Sequence, residues 1–336
     1  MIRFGVIGTN WITDRFIDGA SKLANFELNA VYSRTEEKAS EFASKYNVEH
    51  TYTTIQELAD SDKIDAVYIA SPTAYHCEHA IACMKGGKHV IVEKPFASNQ
   101  QEVQAMIDTA KQQNVTLMEA MKTTHTPNFK LIQESLAKIG PVRRYVANFC
   151  QYSSRYDKYK EGIVLNAFKP ELSNGSLMDI GVYCIYPMVA LFGGPDRVKA
   201  TAYMLESGVD GEGTVTVDYP SLNGVCMFSK ITNSTIPSEI QGEKGSIVIG
   251  KFSDMTEVKI VYKDGSEEVL DTGQEDNTMY YEAKSFIESI EQKKLENDIN
   301  TWEHSHTTMR ILDQARKEIG LVFLADENKS YGQKQP

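Results

Sequence analysis

The stretch His89-Val90-Ile91-Val92-Glu93-Lys94-Pro95-Phe96 decides how the chain is read. Three apolar β-formers in succession describe a strand buried on both faces of a parallel sheet, and a charged pair followed by proline stops it abruptly. Ligands of open parallel sheets bind outside the carboxyl ends of the strands, so Lys94 is delivered to that crevice, with Glu93 beside it. Proline fixes its own φ and drives the residue before it out of the helical region, which restrains the backbone that carries the ammonium. On this stretch alone a solvated Lys-Pro loop is the simpler reading, and the flanking segments must separate the two.

Toward the N-terminus, Ile2-Arg3-Phe4-Gly5-Val6-Ile7-Gly8 is a short buried strand running into glycine. Trp11, Ile12, Phe16, Ile17, Ala20 and Leu23 then recur at helical spacing. Strand, glycine turn and helix form the context of a dinucleotide fingerprint, which makes Gly8, Thr9, Asn10, Trp11 and Ile12 the candidate pyrophosphate-binding turn. Asn10 and Thr13 stand where the second and third fingerprint glycines belong. Asparagine tolerates positive φ, so the turn can form, with its side chain limiting the approach of a pyrophosphate. The next strand, Glu27–Tyr32, ends in Ser33-Arg34-Thr35. An acid here would suit the ribose 2′-hydroxyl of NAD, whereas Ser33 and Arg34 suit a 2′-phosphate, so NADP is expected ahead of NAD. The alternative is that Arg34 pairs with Glu36 and Glu37 of the following helix.

Strands and helices continue to alternate through helix 35–46, strands near 50–52 and 65–70, helix 74–85, the opening strand, helix 100–113 and strand 116–119. Six strands interleaved with helices within about 120 residues predict a parallel, doubly wound sheet of dinucleotide-binding size. Ser71, Pro72, Thr73 and His76 follow the end of a strand and are candidates to line a nicotinamide. His76 and His79 are three apart with no further ligand cluster, against the four of a zinc helix, so no metal is expected. Past Gly140-Pro141 the pattern changes to a long strand, 142–151, and a series of alternating strands with short polar turns, including 199–205, 213–219 and 225–231. This predicts a second α/β domain on an open, mainly antiparallel sheet, covered on one face by helix 176–191. The expected division is 1–122 for the dinucleotide domain and 123–336 for the substrate and oligomerisation domain, with the C-terminal helix free to pack back on the first. His304 and His306 are read as solvated in an exposed helix, and 326–336 as a frayed terminus.

Bulk properties agree with this division. A chain of 336 residues exceeds one comfortable core, and 41% hydrophobic with 24% charged residues describe a globular protein. A net charge of -11 argues against nucleic acid as the main partner. Five cysteines without a CxxC pair suit reduced thiols in a cytoplasm. No apolar run is read as a membrane span, and the immediate strand at Met1-Ile2-Arg3 leaves no signal peptide.

Gly175-Ser176-Leu177-Met178-Asp179-Ile180-Gly181-Val182-Tyr183 opens the helix of the second domain, with Asp179 and Tyr183 four apart on one face. Both could equally be ordinary polar groups at a helix start, Asp179 serving the first amides. Together, the Gly8 turn, Glu93-Lys94-Pro95 and Asp179-x-x-x-Tyr183 resemble the Gfo/Idh/MocA family of NAD(P)-dependent oxidoreductases. Within it the chain is most similar to the branch of dimeric dihydrodiol dehydrogenases, NADP-dependent xylose dehydrogenases and glucose-fructose oxidoreductase. The resemblance implies a Rossmann domain followed by an α/β domain whose open sheet forms a homodimer or higher oligomer, and a cis bond before Pro95. It further implies Lys94 and Tyr183 as the catalytic pair with Asp179 nearby, acting on a small polar hydroxylated or carbonyl compound such as a sugar, polyol or diol. An adjacent ammonium favours the phenolate, so Tyr183 would be the acid/base, Lys94 its electrostatic tuner and Asp179 the group orienting the lysine. Lys122-Thr123-Thr124-His125 departs from the aromatic-Thr-Arg run of the dihydrodiol branch, which leaves Lys122, His125 and Tyr156 to shape substrate choice. The competing reading is a non-catalytic NAD(P)-binding sensor or regulator on the same fold.

Overall fold

The computed structural model describes residues 1–327. The chain forms two compact units, one of residues 1–122 with 275–306, the other of 123–274 with 307–327.

The first unit is built on six parallel strands, β1 (Ile2–Ile7), β2 (Phe26–Tyr32), β3 (His50–Tyr52), β4 (Ala66–Ile69), β5 (His89–Glu93) and β6 (Leu117–Ala120), in the order β3-β2-β1-β4-β5-β6. Helices α1 (Trp11–Ala20), α2 (Glu36–Lys45), α3 (Ile55–Asp60), α4 (His76–Lys85) and α5 (Gln100–Gln113) connect successive strands. The order reverses between β1 and β4, which places the ligand crevice of such sheets outside the ends of those strands. β4 and β6 are buried along their whole length, and β5 is buried from Val90 to Glu93. The core is aromatic. Phe16 of α1 stacks on Tyr68 at 3.8 Å, and Phe4 meets Phe26 at 4.9 Å and Phe286 at 6.0 Å. Phe286 belongs to a helix near the end of the chain, Met279–Glu291, whose buried face of Met279, Ala283, Phe286 and Ile287 completes this core.

The second unit begins with short helices α6 (Lys122–His125), α7 (Pro127–Ser135) and α8 (Ser154–Lys160), the first of which starts one residue before the division. A π-helical turn, Leu177–Gly181, leads directly into α9 (Val182–Phe192), in place of the single helix expected over 176–191. Its sheet comprises β7 (Val142–Cys150), β8 (Arg197–Met204), β9 (Asp210–Asp218), β10 (Asn223–Ser229), β11 (Ser238–Gly242), β12 (Gly245–Lys251), β13 (Thr256–Tyr262) and β14 (Glu267–Leu270). The order is β14-β13-β12-β11-β7-β10-β9-β8, antiparallel except for the β7–β10 pair. One face carries Tyr145, Val215, Cys226, Phe228, Ile240, Ile247 and Ile260 into the core. α9 lies on that face, where the Tyr145 hydroxyl donates to the Cys184 carbonyl at 2.8 Å. Within the 23-residue segment Pro170–Phe192 an 18-residue window reaches a mean hydropathy of 1.5, which by length and composition alone could cross a bilayer, but 72% of that window is buried inside the protein as core.

The Met279–Glu291 helix is α10, and α11 (Trp302–Ile319) and α12 (Leu324–Glu327) follow it. α11 is not the exposed helix expected. Met309, Ile311, Leu312 and Ala315 are buried, and Gln100 Nε2 meets the His306 ring at 3.2 Å. Asp326, expected in a frayed tail, pairs with the buried Arg316 at 2.6 Å, and residues 328–336 lie outside the described residues.

Candidate active site

At the carboxyl edge of the first sheet, Gly8 leaves β1 at φ +106, and a Cβ there would lie 2.6 Å from the Ala70 carbonyl oxygen. The left-handed position thus falls to Gly8, which only glycine fills without strain. Asn10, for which positive φ was anticipated, is extended at φ -117 and acts as the N-cap of α1. Its side-chain oxygen accepts from the Ile12 and Thr13 amides at 3.0 and 3.4 Å, while its Nδ2 donates to the Ala70 carbonyl at 3.0 Å. One residue therefore caps the helix and ties the β1 turn to the end of β4. Thr13 is fully buried and its hydroxyl donates to the Gly8 carbonyl at 2.8 Å. These contacts keep the turn from Gly8 to Trp11 at a helix entrance, the part that a pyrophosphate would meet.

Ser33 is nearly buried at the end of β2, whereas Arg34 is exposed. Among the described residues no carboxylate forms an ion pair with Arg34; Glu36 instead accepts from the Ser40 and Thr51 hydroxyls at 3.0 Å. Beyond β4, Thr73 is buried and Ser71 Oγ lies 3.0 Å from His79 Nδ1. His76 is buried too, with Nδ1 3.0 Å from the Pro95 carbonyl and Nε2 2.8 Å from the Ser71 carbonyl. Two carbonyl acceptors favour a doubly protonated ring, but burial outweighs them and pushes its pKa down to about 4. His76 thus braces the loops that follow β4 and β5.

Lys94 leaves β5 through a cis peptide bond to Pro95. Its amide donates to Glu93 Oε2 at 3.2 Å, and the Tyr68 hydroxyl donates to Glu93 Oε1 at 2.6 Å. Burial raises the Glu93 pKa against the pull of the Lys94 charge and these hydrogen bonds. Two further buried acids, neither singled out from the sequence, share the region. Glu119 of β6 accepts from the Phe96 amide at 3.0 Å, and burial, aided by the Glu93 charge, pushes its pKa up to about 7. Among the described residues Glu282 of α10 has no hydrogen-bond partner for either carboxyl oxygen, and burial with the Glu93 charge holds its pKa well above the usual range. The nearby cations are Lys94 and Lys122, the latter donating to the Thr278 hydroxyl at 3.2 Å. A glutamate inside the apolar run Leu117-Met118-Glu119-Ala120 was a visible signal; Glu282 on an amphipathic helix was not.

In the second unit the π turn carries Asp179 and α9 carries Tyr183. The Tyr183 ring meets Phe149 of β7 edge-on at 5.5 Å. Asp179 stands in the first turn, where a carboxylate favours the helix N-terminus. The Leu177 amide has a further acceptor, donating to Asp210 Oδ2 at 2.6 Å, and burial raises the Asp210 pKa to about 6. Within this unit Asp179 pairs with Lys230, Oδ2 to Nζ at 2.7 Å, the lysine being 2% exposed and the aspartate 35%. Lys230 was invisible in the sequence because it continued an apparent strand, 225–231, in which a lysine reads as solvent-facing. Tyr156 of α8 stacks near-parallel with Tyr159 at 5.8 Å and meets Phe168 at the same separation. His125 is buried, its ring nitrogens have no hydrogen-bond partner among the described residues, and burial lowers its pKa to about 3.

Comparison with known proteins agrees with both units. A model of an oxidoreductase family with an NAD-binding Rossmann fold matches residues 2–121, and a GFO/IDH/MocA C-terminal domain model matches 130–248. The chain is 56% identical over 327 residues to a scyllo-inositol 2-dehydrogenase (NADP(+)) of Bacillus subtilis, covering 97% of this chain and 100% of the relative. It is 29% identical over 337 residues to a trans-1,2-dihydrobenzene-1,2-diol dehydrogenase of Xenopus tropicalis, covering 96% and 99%. Among solved structures, a 3-ketoreductase from Actinomadura kijaniata in complex with NADP and TDP-benzene superposes with a TM-score of 0.83 at 22% identity, covering 95% of this chain and 98% of the other. That likeness concerns the fold.

Proposed function

The chain belongs to the GFO/IDH/MocA family of NAD(P)-dependent oxidoreductases, and on that premise we propose that it moves a hydride between NADP(H) and a ring carbon of a cyclitol or related polyhydroxylated compound. The observation that carries this reading is the match over the whole length of the Bacillus subtilis inositol dehydrogenase. The nicotinamide accepts or supplies the hydride when bound. The turn from Gly8 to Ile12 would hold the pyrophosphate, Ser33 and Arg34 would hold the 2′-phosphate, and Ser71, Pro72 and Thr73 would line the nicotinamide. In the oxidative direction Tyr183 takes the substrate hydroxyl proton on its phenolic oxygen and returns it in reduction. Lys94 supplies the positive charge that favours the phenolate and donates to the substrate oxygen. The restraint on Lys94 supports its role, since its amide is bonded to the buried Glu93 carboxyl and Pro95 to His76.

The open face of the second sheet presents half-buried Val146, Val225, Met227, Val248 and Val261, which supports a homodimer through this face. A single-chain mass by light scattering refutes that assembly. The activity is tested by following NADP reduction at 340 nm with inositol isomers, aldoses and diols, and NADPH oxidation with the matching ketones. Turnover with a cyclitol is expected. NADPH binding without turnover across the panel refutes the enzyme reading in favour of a dinucleotide sensor.

A further inference from the structure

Lys230 is an ammonium with almost no access to water, and every donor direction on it is used. Its Nζ meets Asp179 Oδ2 at 2.7 Å, the Ala167 carbonyl at 3.0 Å and Asn174 Oδ1 at 3.5 Å, and lies 5.1 Å from the centre of the Phe168 ring. Its main chain is pinned as well. Lys230 N donates to the Gly211 carbonyl at 2.9 Å, and its own carbonyl accepts from Ser153 N at 2.8 Å. Taking an ammonium out of water costs several kcal/mol, and exchanging a buried ion pair for apolar side chains is often neutral or stabilising. Stability alone is therefore a poor reason to bury a lysine here.

The exposures show which partner the arrangement serves. The carboxylate is a third accessible while the lysine beneath it is not, so Lys230 approaches Asp179 from the protein side and fixes one oxygen from behind. Two groups from adjacent strands hold the π turn. Asp210, the first residue of β9, takes the Leu177 amide, and Lys230, the residue after β10, takes the Asp179 carboxylate. Gly175, at φ +146, lets Asp210 in, for a Cβ there would lie 2.2 Å from Asp210 Oδ1. π-helical turns inside helices are rare and concentrate at functional sites, and this one sets the phase between Asp179 and Tyr183.

We propose that Lys230 is a positioning residue for the dehydrogenase reaction, acting through Asp179 to hold the π turn and Tyr183 in the orientation that turnover requires. This rests on the reading of Asp179 and Tyr183 given above. The lysine touches neither substrate nor cofactor, and its effect passes through one hydrogen-bonded oxygen. Misplacing a reacting group by about 1 Å can cost about 10²-fold in rate, which sets the expected size.

The test is a double-mutant cycle in the full-length protein with Lys230→Met, Asp179→Asn and the pair, measuring kcat and the KM for NADPH, with NADPH binding as the check on folding. Lys230→Met is expected to lower kcat by roughly 10- to 100-fold with the NADPH KM unchanged, and that loss is expected to vanish in the Asp179→Asn background. If Lys230→Met does not fold, Lys230→Gln keeps a donor without the charge and carries the same cycle. Equal losses from Lys230→Met in both backgrounds, or a kcat within twofold of wild type, overturn the proposal while leaving the role of Asp179 intact. Full activity of Asp179→Asn alone overturns the role of Asp179 and the proposal with it.

Discussion

Replacing Glu119 by glutamine changes stability in a way that depends on pH, and the sign and size follow from its surroundings. Glu119 is 2% exposed, keeps Oε1 on the Phe96 amide at 3.0 Å and leaves Oε2 without a hydrogen-bond partner among the described residues. Burial, first among the causes, lifts its pKa from 4.5 to about 7. Below pH 4.5 both folded and unfolded chains hold the proton, and the carboxyl costs nothing. As pH rises through the window from 4.5 to about 7, the unfolded chain releases its proton while the folded one retains it, so stability falls. At about 1.4 kcal/mol per pH unit, the folded state has lost about 3 kcal/mol by pH 8. Glutamine keeps an acceptor for the Phe96 amide and carries no titrating proton. The thermal midpoint of Glu119→Gln relative to wild type is therefore expected to rise from pH 5 to pH 8 by on the order of 5 °C. Any cost from its unpartnered amide is the same at both pH values and drops out of the comparison. Differential scanning calorimetry at the two pH values checks this. A difference in midpoint that does not change with pH refutes a neutral Glu119.

His125 titrates in the opposite sense: burial lowers its pKa to about 3, so its contribution is lost as pH falls below 6.5, about 2 kcal/mol by pH 5. Since neither nitrogen is hydrogen-bonded among the described residues, His125→Phe should raise the thermal midpoint at pH 5 and leave it nearly unchanged at pH 8; equal effects at both refute the buried neutral ring. Tyr183→Phe should lose about 10²- to 10⁴-fold in kcat while NADPH still binds, as fluorescence titration will report, and near-full turnover removes Tyr183 from the chemistry. Arg34→Ala should raise the KM for NADPH while leaving that for NADH within about twofold, because only the former carries a 2′-phosphate; a parallel rise in both refutes the selectivity assigned to Arg34.

How far the residues could be read in advance depended on how local the deciding physics is. The β5 strand, its abrupt end at Lys94 and the glycine turn after β1 are set by neighbours in sequence, and the parallel sheet follows from their alternation with helices. The Asn10 cap itself is local, to the Ile12 and Thr13 amides, but the bond that ties it to the end of β4 goes to the Ala70 carbonyl, 60 residues away. The addition of residues 275–306 to the first unit depends on Phe286 reaching Phe4, a contact that no local periodicity encodes.

Lys94 and Lys230 make the same point for the chemistry. Proline announces Lys94, because it ends a strand in a way that only backbone geometry explains. Nothing announces Lys230. An alternating strand permits a lysine on its wet face, and this one is buried only because the loop carrying Ala167, Phe168 and Asn174 folds over it and supplies acceptors. Such a loop is worth forming around a charge only if the charge faces something, and within its unit that is Asp179. A residue exposed to substrate can be suspected from its type and spacing, but one that orients it from behind is identified only by its contacts. Groups that brace others from within the protein are thus the last to become visible in a sequence, and Asp210 and Lys230 are such groups in the second unit.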